Sequence, residues 1–206
     1  MTDFKQQLEK VSEFFKPENL ARQKIKYKGE IALLVIDVQR RFCDPEESSR
    51  GNTQTKKISE RIQSLAPKFR KAGIPVYAVY FSREELQAPE IDFYKFTPHP
   101  DDKLVAKHMD SAFNGSNIKK ILKRDKRKLL LACGFNLSAC VLRTVIDARK
   151  AGFDVCLLRD LTGNDNPNKN LDTADNLQEM RENGVSIDKS ANVIKLLKAK
   201  KRAPRP

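Results

Sequence analysis

The chain has 206 residues and a formal net charge of +13 at neutral pH, a length that suits one domain with a sizeable core. Its longest apolar run covers residues 31–36, far short of the roughly 18–20 residues of a membrane-spanning helix, and residues 1–16 lack the continuous apolar centre of a secretory signal. The four cysteines, at positions 43, 133, 140 and 156, lie in apolar segments and are too few for a disulfide framework, so we expect a protein of the reducing cytoplasm.

Short apolar runs rich in β-forming residues alternate along the chain with amphipathic helical stretches. An N-terminal extension, residues 1–29, begins with an expected amphipathic helix over residues 2–15. We predict strands at residues 31–38, 76–81, 103–107, 128–133, 153–158 and 185–187, and helices at 55–72, 116–123, 138–151, 172–183 and after residue 190. The alternation predicts an α/β fold: a three-layer α/β/α domain over residues 30–198 with a six-stranded, mainly parallel sheet.

Two further segments differ from this regular pattern. Residues 82–102 contain three prolines and form one long irregular connection, of a length that is often functional. Residues 199–206 are basic and end in a pattern typical of a disordered tail.

Two short stretches carry nearly all of the excess positive charge. Residues 119–128 hold seven basic residues and one acid, and residues 195–206 hold six basic residues and no acid. Ile121 and Leu122 interrupt the first stretch in the manner of a solvated helix end. No RNA-binding aromatic signature or zinc-finger spacing accompanies either stretch. A solvated surface is therefore favoured, and binding of nucleic acid or another acidic partner stays open as the alternative.

Three polar or reactive residues stand where predicted strands end. Asp37 follows the apolar strand at 31–36, Lys107 ends the strand at 103–107, and Cys140 comes after the strand at 128–133, near the start of a helix. Ligands of an open parallel sheet bind beyond the carboxyl ends of its strands. Each residue alone has a structural explanation, as a turn acid, a lysine with its amine in solvent and a small buried side chain. Together they supply an acid, a cation and a thiol whose pKa the helix start would lower.

Three short motifs then recur in a fixed order along the chain. The first is residues 37–39 with Phe42, the second is Lys107 followed by residues 111–113, and the third is residues 134–141, Gly-Phe-Asn-Leu-Ser-Ala-Cys-Val. With these motifs the chain resembles the isochorismatase-like cysteine hydrolases, a family that includes nicotinamidases and other amide hydrolases. The resemblance covers residues 30–197.

The resemblance implies a set of functional residues. Asp37, Lys107 and Cys140 match the catalytic acid, lysine and nucleophile, and the backbone amides of Asn136 and Cys140 match an oxyanion hole. A non-proline cis peptide bond is expected between residues 135 and 136. Substrate contacts are expected from four side chains: Gln39, Phe42, Phe113 and Phe135. For Phe42, packing in the core is an equal alternative.

Departures from the family pattern limit the chemistry. Metal-dependent nicotinamidases carry an Asp-x-His pair after the second strand, whereas this chain has only His99 and His108 and no ligand spacing. We therefore expect no metal, no other cofactor and a substrate other than nicotinamide. The cysteine itself argues against the vinyl-ether hydrolysis of true isochorismatases. Arg40 and Arg41 suggest either an anionic substrate or solvent-directed cations.

The leading functional hypothesis is a metal-independent cysteine hydrolase. It would cleave a C–N bond of a small amide, ureido or carbamoyl compound through a covalent cysteine intermediate. Family members commonly form dimers or tetramers, so a homo-oligomer is expected. One alternative is a non-catalytic member that binds a protein, nucleic acid or acidic surface through its basic segments. A third possibility is a redox-responsive protein in which Cys140 is oxidised.

Overall fold

A six-stranded parallel sheet forms the centre of the molecule. The computed structural model describes residues 27, 29–46, 51–82, 91–166 and 173–198. The strands are β1 Ile31–Ile36, β2 Val76–Phe81, β3 Lys103–Lys107, β4 Leu129–Gly134, β5 Asp154–Thr162 and β6 Ser186–Asp188. Their order is β3-β2-β1-β4-β5-β6, and every neighbouring pair is parallel. The predicted α/β architecture is confirmed, with a sheet that is entirely parallel over the described residues.

Helices cover both faces of this sheet. They are α1 Arg40–Cys43, α2 Thr53–Lys71, α3 Ala112–Gly115, α4 Ile118–Arg124, α5 Leu142–Lys150, α6 Thr173–Glu182 and α7 Ser190–Lys198, and a π-helical turn spans Leu137–Val141. Side chains of β1 alternate between the faces: Leu33 and Val35 join the cluster under α2 and α7, and Leu34 and Ile36 join the cluster under α3 to α6. Both faces of β1 are buried, which explains its uninterrupted apolar sequence.

Some element boundaries differ from the prediction. The expected helix at 138–151 begins with the π-helical turn and becomes α-helical at Leu142, and β5 runs to Thr162 instead of ending at residue 158. The four-residue helices α1 and α3 were not predicted. The expected N-terminal helix, the basic tail and residues 83–90 of the long connection lie outside the described residues.

The basic stretch at 119–128 lies on a solvated surface. Lys119, Lys120 and Lys126 are exposed, and Lys128 forms an ion pair of 2.8 Å with Glu30. Ile118 and Leu122 of the same segment are buried and anchor α4 on the sheet. In the part of the chain that the structure describes, no helix is both long and apolar enough to cross a membrane.

The last residue of β4 must be glycine because β1 passes very close to it. Gly134 has φ 115°, and a Cβ atom built there would lie 2.0 Å from the carbonyl oxygen of Ile36. Gly152 also has a positive φ, of 90°, but no atom lies within 4 Å of its Cβ position. The two glycines therefore differ in packing and share the left-handed backbone.

We expect Gly134→Ala to destabilise the protein by about 4 kcal/mol or more, because both a strained φ and a backbone clash result. Gly152→Ala is the matched control and should cost only about 1–2 kcal/mol, from the φ alone. Urea unfolding of the two variants measures the difference. Equal losses would show that the backbone around Ile36 relaxes and that the close approach is unimportant.

Candidate active site

The three candidate catalytic side chains meet at the carboxyl edge of the sheet. The strand order reverses between β1 and β4, and this switch point is where open α/β sheets bind their ligands. Ile36 of β1 is paired with Gly134 of β4, so the segments that leave these two strands start side by side. On the other side, Phe81 of β2 is paired with Lys107 of β3. The register therefore brings residues distant in sequence to one edge.

The structure brings together the three residues predicted to be catalytic. Lys107 Nζ lies 2.8 Å from Asp37 Oδ2 and donates a hydrogen bond of 3.3 Å to Cys140 Sγ. The same amine donates a hydrogen bond of 3.0 Å to the carbonyl oxygen of Met109 and lies 4.7 Å from the centre of the Phe81 ring. Lys107 therefore reaches past the end of β2 to contact both the acid and the thiol.

The backbone at Asp37 turns the acid into the site. Asp37 has φ 51°, the left-handed region that residues other than glycine rarely adopt, and its N–H donates a hydrogen bond of 2.9 Å to the carbonyl oxygen of Val79. Its carboxylate is buried, and Oδ1 accepts no hydrogen bond from the described residues. A backbone in the left-handed region and an unsatisfied buried oxygen make this position a candidate functional residue. The oxygen is free to accept a proton.

Burial dominates the electrostatics of the acid and the thiol. Desolvation raises the pKa of Asp37 to about 6, against the opposing effect of the Lys107 charge. Desolvation, and next the charge of Asp37, raise the pKa of Cys140 to about 12, and Lys107 only partly offsets this. The expectation of a lowered thiol pKa was wrong, because burial and the neighbouring carboxylate outweigh the helix start. At neutral pH the resting site holds a thiol beside a mainly ionised carboxylate.

A hydrogen-bonded turn holds the backbone just before the thiol. The peptide bond between Phe135 and Asn136 is cis, as expected. Asn136 Oδ1 accepts a hydrogen bond of 2.7 Å from the N–H of Asp165, and Asn164 Oδ1 accepts bonds from both the N–H and the hydroxyl of Ser138. The N–H of Asn136 donates to no acceptor among the described residues. The loop after β5 thus fixes this turn, and one backbone donor stays available for a ligand oxygen.

Asn52, at the start of α2, ties this loop to a second element. Its side-chain oxygen accepts from the N–H groups of Gln54 and Thr55, and its Nδ2 donates to the carbonyl oxygens of Asn164 and Asp165. One side chain therefore both caps α2 and supports the loop that holds the turn before Cys140.

The four residues expected to contact substrate differ in their surroundings. Gln39 uses its side-chain amide on the backbone of Phe81, accepting from the N–H at 2.7 Å and donating to the carbonyl at 3.2 Å. Phe42 and Phe135 are buried in the core cluster under α2. The ring of Phe113 packs edge-on against Phe153, with 5.6 Å between centroids, just before β5 begins.

Arg40 and Arg41 are placed differently from one another. Arg40 forms ion pairs with Asp44 at 2.7 Å and with Asp92 at 3.0 Å. The guanidinium of Arg41 lies 4.9 Å from the ring centre of Phe42 and 5.4 Å from that of Phe81. Arg41 and Lys107 therefore both lie against the ring of Phe81.

The other three cysteines are buried in the packed interior. Cys43, Cys133 and Cys156 are free and buried, and desolvation raises the pKa of each thiol. Cys133 and Cys156 lie inside β4 and β5. The sequence interpretation of these two as packing residues agrees with their burial.

One residue at the site was missed by sequence reasoning. Asp110, in the loop after β3, places Oδ1 3.8 Å from Cys140 Sγ. It is exposed and stands three positions after Lys107. The sequence does carry a signal for Asp110, because it is a polar residue just beyond the carboxyl end of a predicted strand, where ligands of parallel sheets bind.

The described residues do not fit a metal centre. They contain no group of three or more histidine, cysteine, aspartate or glutamate side chains that could hold an ion. His99 lies 3.3 Å from Asp101, and His108 Nδ1 lies 3.0 Å from the carbonyl oxygen of Ser82. The two histidines therefore have separate partners.

The fold and this site define a doubly wound α/β domain with an acid, an amine and a thiol at its switch point. The sequence profile of the Isochorismatase domain family matches residues 31–188, and the chain belongs to this family. Its architecture is that of the isochorismatase-like hydrolases.

Individual relatives agree with this assignment. The chain is 26% identical over 145 residues to the secreted isochorismatase effector Isc1 of Verticillium dahliae, covering 64% of this chain and 71% of that protein. The pyrazinamidase of Pyrococcus horikoshii, solved in complex with zinc, is 26% identical, with a TM-score of 0.68 over 78% of this chain and 99% of that one. A cysteine hydrolase from Pseudomonas syringae has the same fold at 19% identity, with a TM-score of 0.72 over 82% of this chain and 92% of the other.

Proposed function

We propose that this protein is a cysteine hydrolase that cleaves a C–N bond of a small amide, ureido or carbamoyl compound through a covalent intermediate on Cys140. The observation that carries the proposal is the contact of one buried amine, Lys107 Nζ, with both Asp37 Oδ2 and Cys140 Sγ. A nucleophile beside a base, with a cation on both, is the arrangement that covalent catalysis requires.

The first half-reaction begins with transfer of the thiol proton to Asp37. Sulfur attacks the substrate carbon as the proton leaves, because the pKa values of about 12 and about 6 keep that proton on sulfur in the resting site. The electron pair of the C=O double bond moves to oxygen, where the N–H groups of Asn136 and Cys140 donate hydrogen bonds. When the C–N bond breaks, protonated Asp37 gives its proton to the leaving nitrogen.

The second half-reaction returns the enzyme to its starting state. Asp37 takes a proton from water, and the hydroxide attacks the carbon of the thioester-like intermediate. The C–S bond breaks, the acid product leaves, and Cys140 takes back the proton from Asp37. The amine of Lys107 contacts both groups throughout and stabilises negative charge on sulfur and on the carboxylate.

The direct test is release of ammonia or amine from a panel of small amides and ureido compounds. Intact-protein mass spectrometry during turnover should show an added acyl or carbamoyl mass, and peptide mapping should place it on Cys140. A mass adduct on any other residue, or turnover without any adduct when the reaction is quenched with acid, would contradict the covalent proposal.

The pH dependence of kcat/KM should follow ionisation of Asp37. Only the carboxylate can accept the thiol proton, so we expect an acid limb with an apparent pKa of about 6 and a tenfold loss per pH unit below it. Above this pH the carboxylate is ionised and the limb ends. The measurement is a pH–rate profile from pH 4.5 to 8. A profile that stays flat down to pH 5 would reject Asp37 as the proton acceptor.

A further inference from the structure

The proposed mechanism leaves one acid at the site without a role. Asp110 Oδ1 lies 3.8 Å from Cys140 Sγ, yet the proton transfers need only Asp37. Among the described residues Asp110 forms no ion pair, since Lys107 is paired with Asp37. A carboxylate is an acceptor only, and one that lacks a cation partner favours hydrogen-bond donors and positive charge next to it.

The fold fixes the loop that carries this acid. Lys107 Nζ donates to the carbonyl oxygen of Met109, and the N–H of His108 donates a bond of 2.9 Å to the carbonyl oxygen of Gly115. A Cβ at Gly115 would lie 2.6 Å from the backbone N of Met109, so the two chain segments are in close contact. Ser111, the next residue, caps α3 by accepting from the N–H of Phe113. Asp110 is thus held between anchored neighbours on both sides.

We propose that Asp110 forms a recognition subsite for an N–H donor or a positive charge attached to the carbon that Cys140 attacks. The inference rests on the proposed function. A reacting carbon within about 3.5 Å of sulfur places its substituents within reach of a carboxylate that is itself next to the sulfur. The carbonyl oxygen faces the backbone amides and the leaving nitrogen faces Asp37, so the third substituent is the one that meets Asp110.

This subsite separates substrate classes by chemistry. Ureido compounds carry a second nitrogen on the reacting carbonyl carbon, and its N–H can donate to Asp110. Carboxamides carry carbon at that position and would leave the acid facing an apolar group. An anionic group there would be repelled. We therefore assign ureido compounds as the substrate class. Carboxamides, and compounds with an anionic group next to the reacting carbon, should be poor substrates.

Charged thiol reagents of matched size test the subsite without any substrate. Cys140 is modified with a cationic methanethiosulfonate, the trimethylammonium-ethyl reagent, and with its anionic sulfonatoethyl counterpart, and the Cys140 peptide is quantified by mass spectrometry. The ratio of the two rates cancels any change in thiolate fraction, because both reagents need the same thiolate. In Asp110→Asn this cation-to-anion ratio should fall about tenfold, as expected for loss of a unit charge about 5 Å from the reagent charge.

Asp101→Asn is the matched control. It removes the same charge from a side chain that is 89% exposed and lies before the amino end of β3, at the opposite end of that strand from Lys107. The strand spans about 13 Å at about 3.3 Å per residue. The ratio should stay at its native value in this variant. An unchanged ratio in Asp110→Asn, or an equal fall in both variants, would overturn the proposal.

Hydrolysis of the substrate panel separates this inference from the proposed function. Asp110→Asn should lose at least tenfold in kcat/KM on ureido compounds and far less on carboxamides. If Asp110→Asn is active and both its cation-to-anion ratio and its substrate preference are unchanged, the subsite proposal is wrong and the proposed hydrolase function stands. A shifted ratio in a protein that hydrolyses nothing would support the anionic subsite, exclude the substrate assignment and reject the hydrolase.

Discussion

Replacing Cys140 with serine is expected to lower kcat by at least about 10⁴-fold, in the range seen when a covalent nucleophile is lost. Serine preserves the shape of the side chain, so the contacts of Lys107 and Asp37 should remain. The hydroxyl is a much weaker nucleophile at the same position because the thiol is intrinsically the more reactive group. Steady-state assays on the best substrate measure the loss, and circular dichroism checks the fold.

Cys156→Ala is the control for this variant. It removes a buried thiol of β5 that the mechanism does not use, and a small cavity there should cost about 1 kcal/mol of stability with little change in kcat. Full activity in Cys140→Ser, or equal losses in both cysteine variants, would reject the assignment of Cys140 as the nucleophile.

Asp37→Asn should lower turnover and at the same time raise the reactivity of the Cys140 thiol. Turnover is expected to fall about 10³-fold, because a general base contributes about 10² to 10⁴ and the amide cannot accept the proton. Alkylation of Cys140 should become faster at a given pH. The charge of Asp37 raises the pKa of this thiol and Lys107 lowers it, so removing the carboxylate leaves burial opposed only by the cation. The pKa of Cys140 then falls below its native value of about 12.

The measurement is the rate of iodoacetamide labelling of the Cys140 peptide from pH 6 to 10. Asp37→Asn should shift this curve to lower pH, and Lys107→Met should shift it to higher pH. A variant that turns over slowly and labels quickly would identify Asp37 as a proton acceptor. If Asp37→Asn instead labels more slowly than the native protein, the electrostatic account of the site is wrong.

Sequence reasoning succeeded where a local pattern has one structural solution. Strands β1 and β4 are each an apolar run that is buried on both faces. Both were therefore predicted within two residues of their observed bounds. Asp37, Lys107 and Cys140 were singled out because each stands at the carboxyl end of a strand. The register between Ile36 and Gly134 then brings two of these segments together.

The remaining features depend on contacts that no local pattern encodes. Helices α1 and α3 have four residues each, too few for a hydrophobic period to be visible. The π-helical turn before α5 is set by bonds to the loop after β5, far away in sequence. The prediction of a lowered pKa for Cys140 was wrong for a related reason. The position of Cys140 near a helix start can be read from the local sequence, whereas its burial and its distance from Asp37 arise only on folding.

The hydrogen bonds between Gln39 and Phe81 have a consequence for the end of β2. Beyond Ile36 the main chain of β1 leaves the sheet at the left-handed Asp37, so the last two residues of β2, Tyr80 and Phe81, have no paired residue on β1. The side-chain amide of Gln39 donates to the carbonyl oxygen of Phe81 and accepts from its N–H, so it replaces the backbone hydrogen bonds that a neighbouring strand would make. One side chain thus continues the hydrogen bonding of β2 past the end of β1, directly beside the turn that carries Asp37. The last residue of β2 stays paired on this side although no strand lies there.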